Sequence, residues 1–150
     1  MSTRRLAVVL LALIAAAVGL VLLGGPVDED ERVRRVVQDI AEAAEHSNTH
    51  DILGLVSDRY YDDDGLDKKM LQAMLARQFL TRGRLLIVLG PIAVDRQDTT
   101  ATASFEAVIA EGAEGLGLSA DAQGFDVELE LEEGEWRVVS HARHDVGSGL

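Results

Sequence analysis

From Phe125 onward, apolar and acidic residues alternate without a break: Phe125, Val127, Leu129 and Leu131 against Asp126, Glu128, Glu130 and Glu132. Successive side chains of a strand point to opposite faces, so this segment reads as a strand with one dry and one wet face. One-sided strands build antiparallel sheets, and the dry face must be covered by another layer. Residues 99–110 repeat the pattern, with Ala101, Ala103, Phe105, Ala107 and Ile109 on one face and Thr100, Thr102, Ser104 and Glu106 on the other. Residues 84–96 are also strand-like, bent near Gly90-Pro91, which implies an edge position or a bulge. Residues 111–124 read as a long Gly/Ala-rich connection.

Glu133-Gly134 is a turn signal into a last strand over 135–144. A two-residue loop there fixes the register. Leu131 should oppose Trp136, Leu129 should oppose Val138 and Phe125 should oppose Ala142 on the buried face. Glu130 should oppose Arg137 and Asp126 should oppose His141 on the exposed face.

Before Gly83 the hydrophobic period is helical. Residues 30–46 present Val33, Val36, Val37, Ile40, Ala41 and Ala44 on one face, with Asp28 or Asp30 able to cap the start. A short helix over 49–57 presents Ile52, Leu55 and Val56, with Ser47, Asn48 or Thr49 as its cap. A third, over 66–81, carries Leu66, Met70, Leu71, Met74, Leu75 and Phe79, and Gly83 can end it. The expected fold is α+β: three helices packed on a curved four-stranded antiparallel sheet, preceded by a transmembrane helix.

That helix is an uncharged run of 18 residues that begins at Leu6 and ends at Leu23. At the helical rise it spans about 27 Å, close to the thickness of a bilayer's hydrocarbon core. Arg4 and Arg5 precede it and Asp28, Glu29, Asp30 and Glu31 follow it. The positive-inside rule puts the N-terminus in the cytoplasm and the rest outside the inner membrane, in the periplasm of a bacterial cell. An uncleaved anchor and a cleaved export signal both fit, and the length of the apolar run favours the anchor. The organisation read from the sequence is an anchor over 1–25, a linker over 26–30, a domain over 31–146 and a frayed tail over 147–150.

All 26 acidic residues follow Gly25, so the exported part is two units more negative than the whole chain's −12. Such a surface repels nucleic acid, which needs a basic footprint. The absence of cysteine removes disulfides, thiolate metal sites and cysteine nucleophiles.

The order of elements, the loop Asp58-Arg59-Tyr60-Tyr61-Asp62-Asp63-Asp64-Gly65 and the closing hairpin Glu132-Glu133-Gly134-Glu135-Trp136-Arg137-Val138-Val139 resemble the nuclear-transport-factor-2-like (cystatin-like) cone superfamily. The resemblance covers residues 31–145. It implies a cavity between helices and sheet, into which tyrosines and acids reach in the superfamily's enzymes. It does not select an activity, because members range from isomerases and dehydratases to transport adaptors and scaffold subunits.

On that resemblance Tyr60 and Tyr61 are the candidate pocket residues, joined by Ser140 as the one polar side chain among the inward strand positions Trp136, Val138, Ser140 and Ala142. Asp58 could reach the same loop. No inward position carries a carboxylate or histidine, so the cone is expected to hold no acid–base pair and no catalytic residue. Asp62-Asp63-Asp64-Gly65 fails as a calcium loop: with Gly65 sixth, Tyr60 and Leu71 fall where oxygen ligands belong. It reads instead as a solvated acidic turn capping the third helix. His46 and His50 are separated by a helix break, and His141 and His144 should face opposite sides of a strand, so no metal or cofactor is expected. No serine sits in a nucleophile elbow.

The leading expectation is therefore a non-catalytic, membrane-tethered periplasmic domain that binds a protein partner, a second copy of itself or a small apolar ligand. A cone-fold isomerase- or dehydratase-like enzyme and a scaffold subunit of an envelope assembly are the alternatives. The anchor is directly testable. A reporter active only outside the cytoplasm, fused after Leu150, should be active, and the chain should stay in the membrane fraction through a carbonate wash. Cytoplasmic activity of the reporter contradicts the orientation.

Overall fold

A computed structural model of the chain describes residues 28–112 and 117–146. The proposed anchor and the tail over 147–150 lie outside the described residues, among which no helix is long and apolar enough to cross a membrane.

Among the described residues three helices come first: α1 (Glu29–Glu45), α2 (Thr49–Gly54) and α3 (Lys68–Thr81). Each begins at a side-chain cap that satisfies an otherwise orphaned amide. Asp28 accepts from the Asp30 amide, Asn48 from the Asp51 amide and Asp67 from the Met70 amide. The cap of α3 is thus Asp67, and not the acidic run at 62–64 that was expected to serve. Val33, Val36 and Val37 of α1 are buried, as the helical period requires, while Met70 of α3 is exposed rather than part of its apolar stripe.

The sheet has five strands, not four: β1 (Arg84–Leu89), β2 (Ala93–Gln97), β3 (Thr100–Gly112), β4 (Leu118–Glu132) and β5 (Glu135–Asp145). The extra strand arises at Gly90-Pro91. β1 pairs with the second half of β3 and β2 with the first half, both along one edge. Proline cannot donate to a ladder, so the edge strand breaks in two where Pro91 falls. The segment 111–124 is mostly not a connection. β3 runs to Gly112 and β4 starts at Leu118, extending one long antiparallel ladder. Small residues pair across this ladder, as in Ala110↔Ala120.

The β4–β5 hairpin keeps the expected register near its turn, where Glu133 and Gly134 both adopt positive φ (51° and 81°). Two such residues make the turn whose twist suits a two-residue hairpin. Leu131 opposes Trp136, Glu130 opposes Arg137 and Leu129 opposes Val138. The register then slips by one residue between Glu128 and Leu129. Beyond the slip Glu128 opposes Ser140, Val127 opposes His141, Asp126 opposes Ala142 and Phe125 opposes Arg143. The expected pairs Asp126–His141 and Phe125–Ala142 are therefore not formed. Val139 is the extra residue of a β-bulge, and every side chain after it changes face.

The dry face of the sheet is covered by α1, which lies against β1, β2, β3 and β5. Ala101, Ala103, Val127, Leu129, Trp136 and Val138 of the sheet meet Val33, Val36, Val37 and Ile52 of the helices in one core. Trp136 is buried, and its indole N–H donates to Glu29 Oε2 at 2.7 Å, tying the last strand to the first turn of α1. Replacing a buried tryptophan by alanine leaves a large cavity and removes one donor from the Glu29 carboxylate, which keeps its pairing with Arg32. Trp136→Ala should lower the unfolding free energy by roughly 3–5 kcal/mol in chemical denaturation. A loss under about 1 kcal/mol would show that the ring is not the keystone its burial implies.

Candidate functional site

Between the helices and the sheet lies an apolar cavity of about 270 Å³. Val37, Ile40 and Ala44 of α1, Leu71, Met74 and Leu75 of α3, and Ala107, Phe125 and Val127 of the sheet are among the residues that line it. Among the described residues that line it, only Tyr60 and His141 carry polar side-chain groups. A wider groove outside the cone, lined by Asp39, Glu42, His46, His50 and Asp51, is open and polar.

Two local features bring the polar pair together. The chain after α2 runs along the free edge of β5. Val138 N–H donates to the Leu55 carbonyl, Ser57 N–H to the Val138 carbonyl and Tyr61 N–H to the Val139 carbonyl. Backbone bonds at Ser57 and Tyr61 hold the intervening Tyr60 against the cavity, where it is 3% exposed. The bulge at Val139 then turns His141, opposite the buried Val127, toward the same space.

The two side chains meet. Tyr60 Oη lies 2.6 Å from His141 Nδ1 and 2.9 Å from Asp62 Oδ2. Asp62 is itself buried, 3% exposed, and its Oδ1 accepts the Leu66 amide at 2.9 Å. Burial opposes the Asp62 charge, but the Leu66 amide, the Tyr60 hydroxyl and the nearby His141 outweigh it and hold the carboxyl below its ordinary value. Burial also pushes the His141 imidazole down; the Asp62 charge pulls it back less strongly, and Arg143 adds to the lowering. Burial and the Asp62 carboxylate together raise the Tyr60 phenol well above its ordinary value. Near neutral pH the row is thus an ionised Asp62, a neutral Tyr60 and a neutral His141.

The expected pocket residues separate. Tyr60 lines the cavity. Tyr61 is 64% exposed, held by its backbone to the edge of β5. Ser140 opposes Glu128 on the outer face and does not line the cavity. Asp58 points to solvent and pairs with Lys68 at 2.8 Å. The expectation that the cone holds no acid–base pair is overturned, because the bulge exchanges Ser140 for His141. Asp62 is a buried carboxylate and not part of the expected solvated turn. His144 lies on the other face from His141, opposite Gly124, as strand geometry requires.

Comparison of the sequence with protein-family models and with curated proteins finds no match. Solved structures do resemble the fold. A nuclear-transport-factor-2-like protein with a cystatin-like fold from Novosphingobium aromaticivorans is 19% identical, with a TM-score of 0.66 over 92% of each chain. A provisionally named dehydratase of the same superfamily from Streptomyces avermitilis is 14% identical, with a TM-score of 0.71 over 81% of this chain and 99% of its own. A provisionally named aromatic ring hydroxylase from Novosphingobium aromaticivorans is 12% identical, with a TM-score of 0.72 over 83% of this chain and 93% of its own. The chain therefore has the nuclear-transport-factor-2-like, cystatin-like fold. At these identities the likeness is one of fold alone.

The protonation states give a pH prediction. The folded state binds the His141 proton less readily than the unfolded chain does. Its contribution is therefore complete above about 6.5 and is lost as the pH falls below that value. Asp62 adds a second loss below its ordinary 3.8. Denaturation followed through Trp136 fluorescence should show stability falling from about pH 7 to 5, and His141→Phe should flatten that fall. An equally steep fall in the variant would contradict the assignment.

Proposed function

We propose that the domain is a membrane-tethered module outside the cytoplasm whose cone cavity holds a small, mostly apolar molecule with one polar group. The observation that carries this reading is the cavity itself, whose apolar wall is interrupted only by Tyr60 and His141. Pockets that bind small molecules are mostly apolar, with a few placed polar groups that fix orientation. At about 270 Å³ the space is smaller than a typical drug-sized pocket, which suits a molecule of one to three rings. The tether rests on the uncharged run from Leu6 to Leu23 and its flanking charges.

A proton-transfer enzyme is the second reading, and one observation favours it: a neutral His141 backed by Tyr60 and Asp62 is a competent general base. The dehydratase name of one structural neighbour is consistent with it. Binding without turnover is preferred because the cavity offers one polar locus. Proton abstraction next to a carbonyl also needs a separate donor at the developing oxyanion. No side chain lining the opposite wall supplies one.

The test is cavity filling. In the full chain in lipid nanodiscs, the neutral fluorophore N-phenyl-1-naphthylamine should bind and brighten. Ala107→Leu, whose side chain enters the cavity, should weaken binding by about tenfold or more while the domain stays folded. Equal binding by parent and variant would place the probe elsewhere and remove the support for this reading. Turnover of an enolisable ketone that His141→Phe abolishes would instead favour the enzyme.

A further inference from the structure

We infer that the cavity selects ligands that donate a hydrogen bond, because the row Asp62–Tyr60–His141 fixes its polar end as an acceptor. The inference rests on the proposed cavity reading and names the ligand class for it.

The direction follows from counting protons. An ionised carboxylate only accepts. Asp62 Oδ1 takes the Leu66 amide and Oδ2 takes the Tyr60 hydroxyl at 2.9 Å. Tyr60 has a single proton, now given to Asp62, so its oxygen can meet His141 only as an acceptor. A contact of 2.6 Å between that oxygen and Nδ1 then requires the proton to sit on Nδ1. A neutral imidazole carries one ring proton, which leaves Nε2 bare.

Nε2 is also the accessible nitrogen. Nδ1 is engaged with Tyr60, and among the described residues no hydrogen bond is made to Nε2. No buried side-chain nitrogen or oxygen among them lacks a partner, so Nε2 reaches open space, and the ring lines the cavity. Tyr60 has spent its proton on Asp62, and every other lining side chain is apolar or a thioether. A ligand hydroxyl or ring N–H therefore finds an acceptor. A ketone, ester or ether oxygen finds no side-chain donor and would be left unpaired in an apolar space. The apolar wall sets size and shape, and the bare nitrogen sets polarity.

Indole, benzofuran and indene form a suitable probe set: nearly the same shape, with a donor, an acceptor and neither. Their affinities would be measured by displacement of N-phenyl-1-naphthylamine from the full chain in nanodiscs, with empty nanodiscs as the blank. Indole is expected to bind about tenfold or more tightly than benzofuran, and Tyr60→Phe, which frees the His141 tautomer, should collapse that preference. Equal binding of all three overturns donor selection and leaves the cavity reading intact. Displacement by none of them, with the fluorophore itself failing to bind, overturns both. A preference that survives Tyr60→Phe unchanged overturns the relay as its cause. The ¹⁵N shifts of His141 in histidine-labelled parent chain supply a readout independent of ligand and variant. Protonated Nδ1 with bare Nε2 is expected, and protonated Nε2 overturns the inference.

Discussion

In a regular strand, successive carbonyls face opposite edges. At Val138 and Val139 both face the same neighbour, accepting from the Ser57 and Tyr61 amides. Only a bulged backbone can do this, and the bulge is what the rest of the site depends on. Before it, Trp136 and Val138 fill the core in the register that the turn at Glu133-Gly134 sets. After it, the phase reverses and His141 replaces Ser140 on the inner face. One added residue thus converts an apolar cone into an apolar cone with a polar end.

The same backbone contacts explain why the polar end is ordered. Segment 55–61 lies along β5 as a short extra pairing, with Val56 bridged in parallel to Val138. Tyr60 is carried inward between two backbone anchors, and Asp62 is carried below it, where the Leu66 amide stabilises the buried charge. A buried carboxylate without such partners would protonate rather than remain an acceptor. Outside the cone, Arg59 reaches Glu130 and Glu132, and Glu132 accepts from the Ser57 hydroxyl. These contacts pin the loop from its wet side. The loop, the bulge and the dry sheet face are parts of one arrangement, so a change in any of them should be felt at His141.

Much of the fold was legible because it depends on periodicity. The unbroken alternation around Phe125–Leu131 identified a one-faced strand, and the Val33, Val36 and Val37 spacing identified the helix that covers it. The turn at Glu133-Gly134 fixed the nearest pairs correctly, since a two-residue loop leaves no freedom there. The expectation failed where tertiary contacts override a local pattern. Val138-Val139-Ser140-His141 reads as an ordinary strand, and little within it announces that two carbonyls will serve one loop. The loss of alternation in Val138-Val139, two apolar residues in succession, was the only available signal. The acidic run Asp62-Asp63-Asp64 looked uniformly solvated because composition does not distinguish the one member that turns under a tyrosine. The small residues after Gly112 suggested a connection, whereas small side chains also suit a long paired ladder.

The bulge can be examined directly through space. In the regular register His141 would sit beside Asp126 on the wet face; in the bulged register it sits beside Val127 and against Tyr60. Nuclear Overhauser effects in the isotope-labelled full chain separate the two. Cross-peaks from the His141 ring to the Tyr60 ring and the Val127 methyls, together with backbone contacts between Ala142 and Asp126, are the predicted result. Cross-peaks joining His141 to Asp126, with none to Tyr60, would contradict the bulge and the polar cavity end that rests on it.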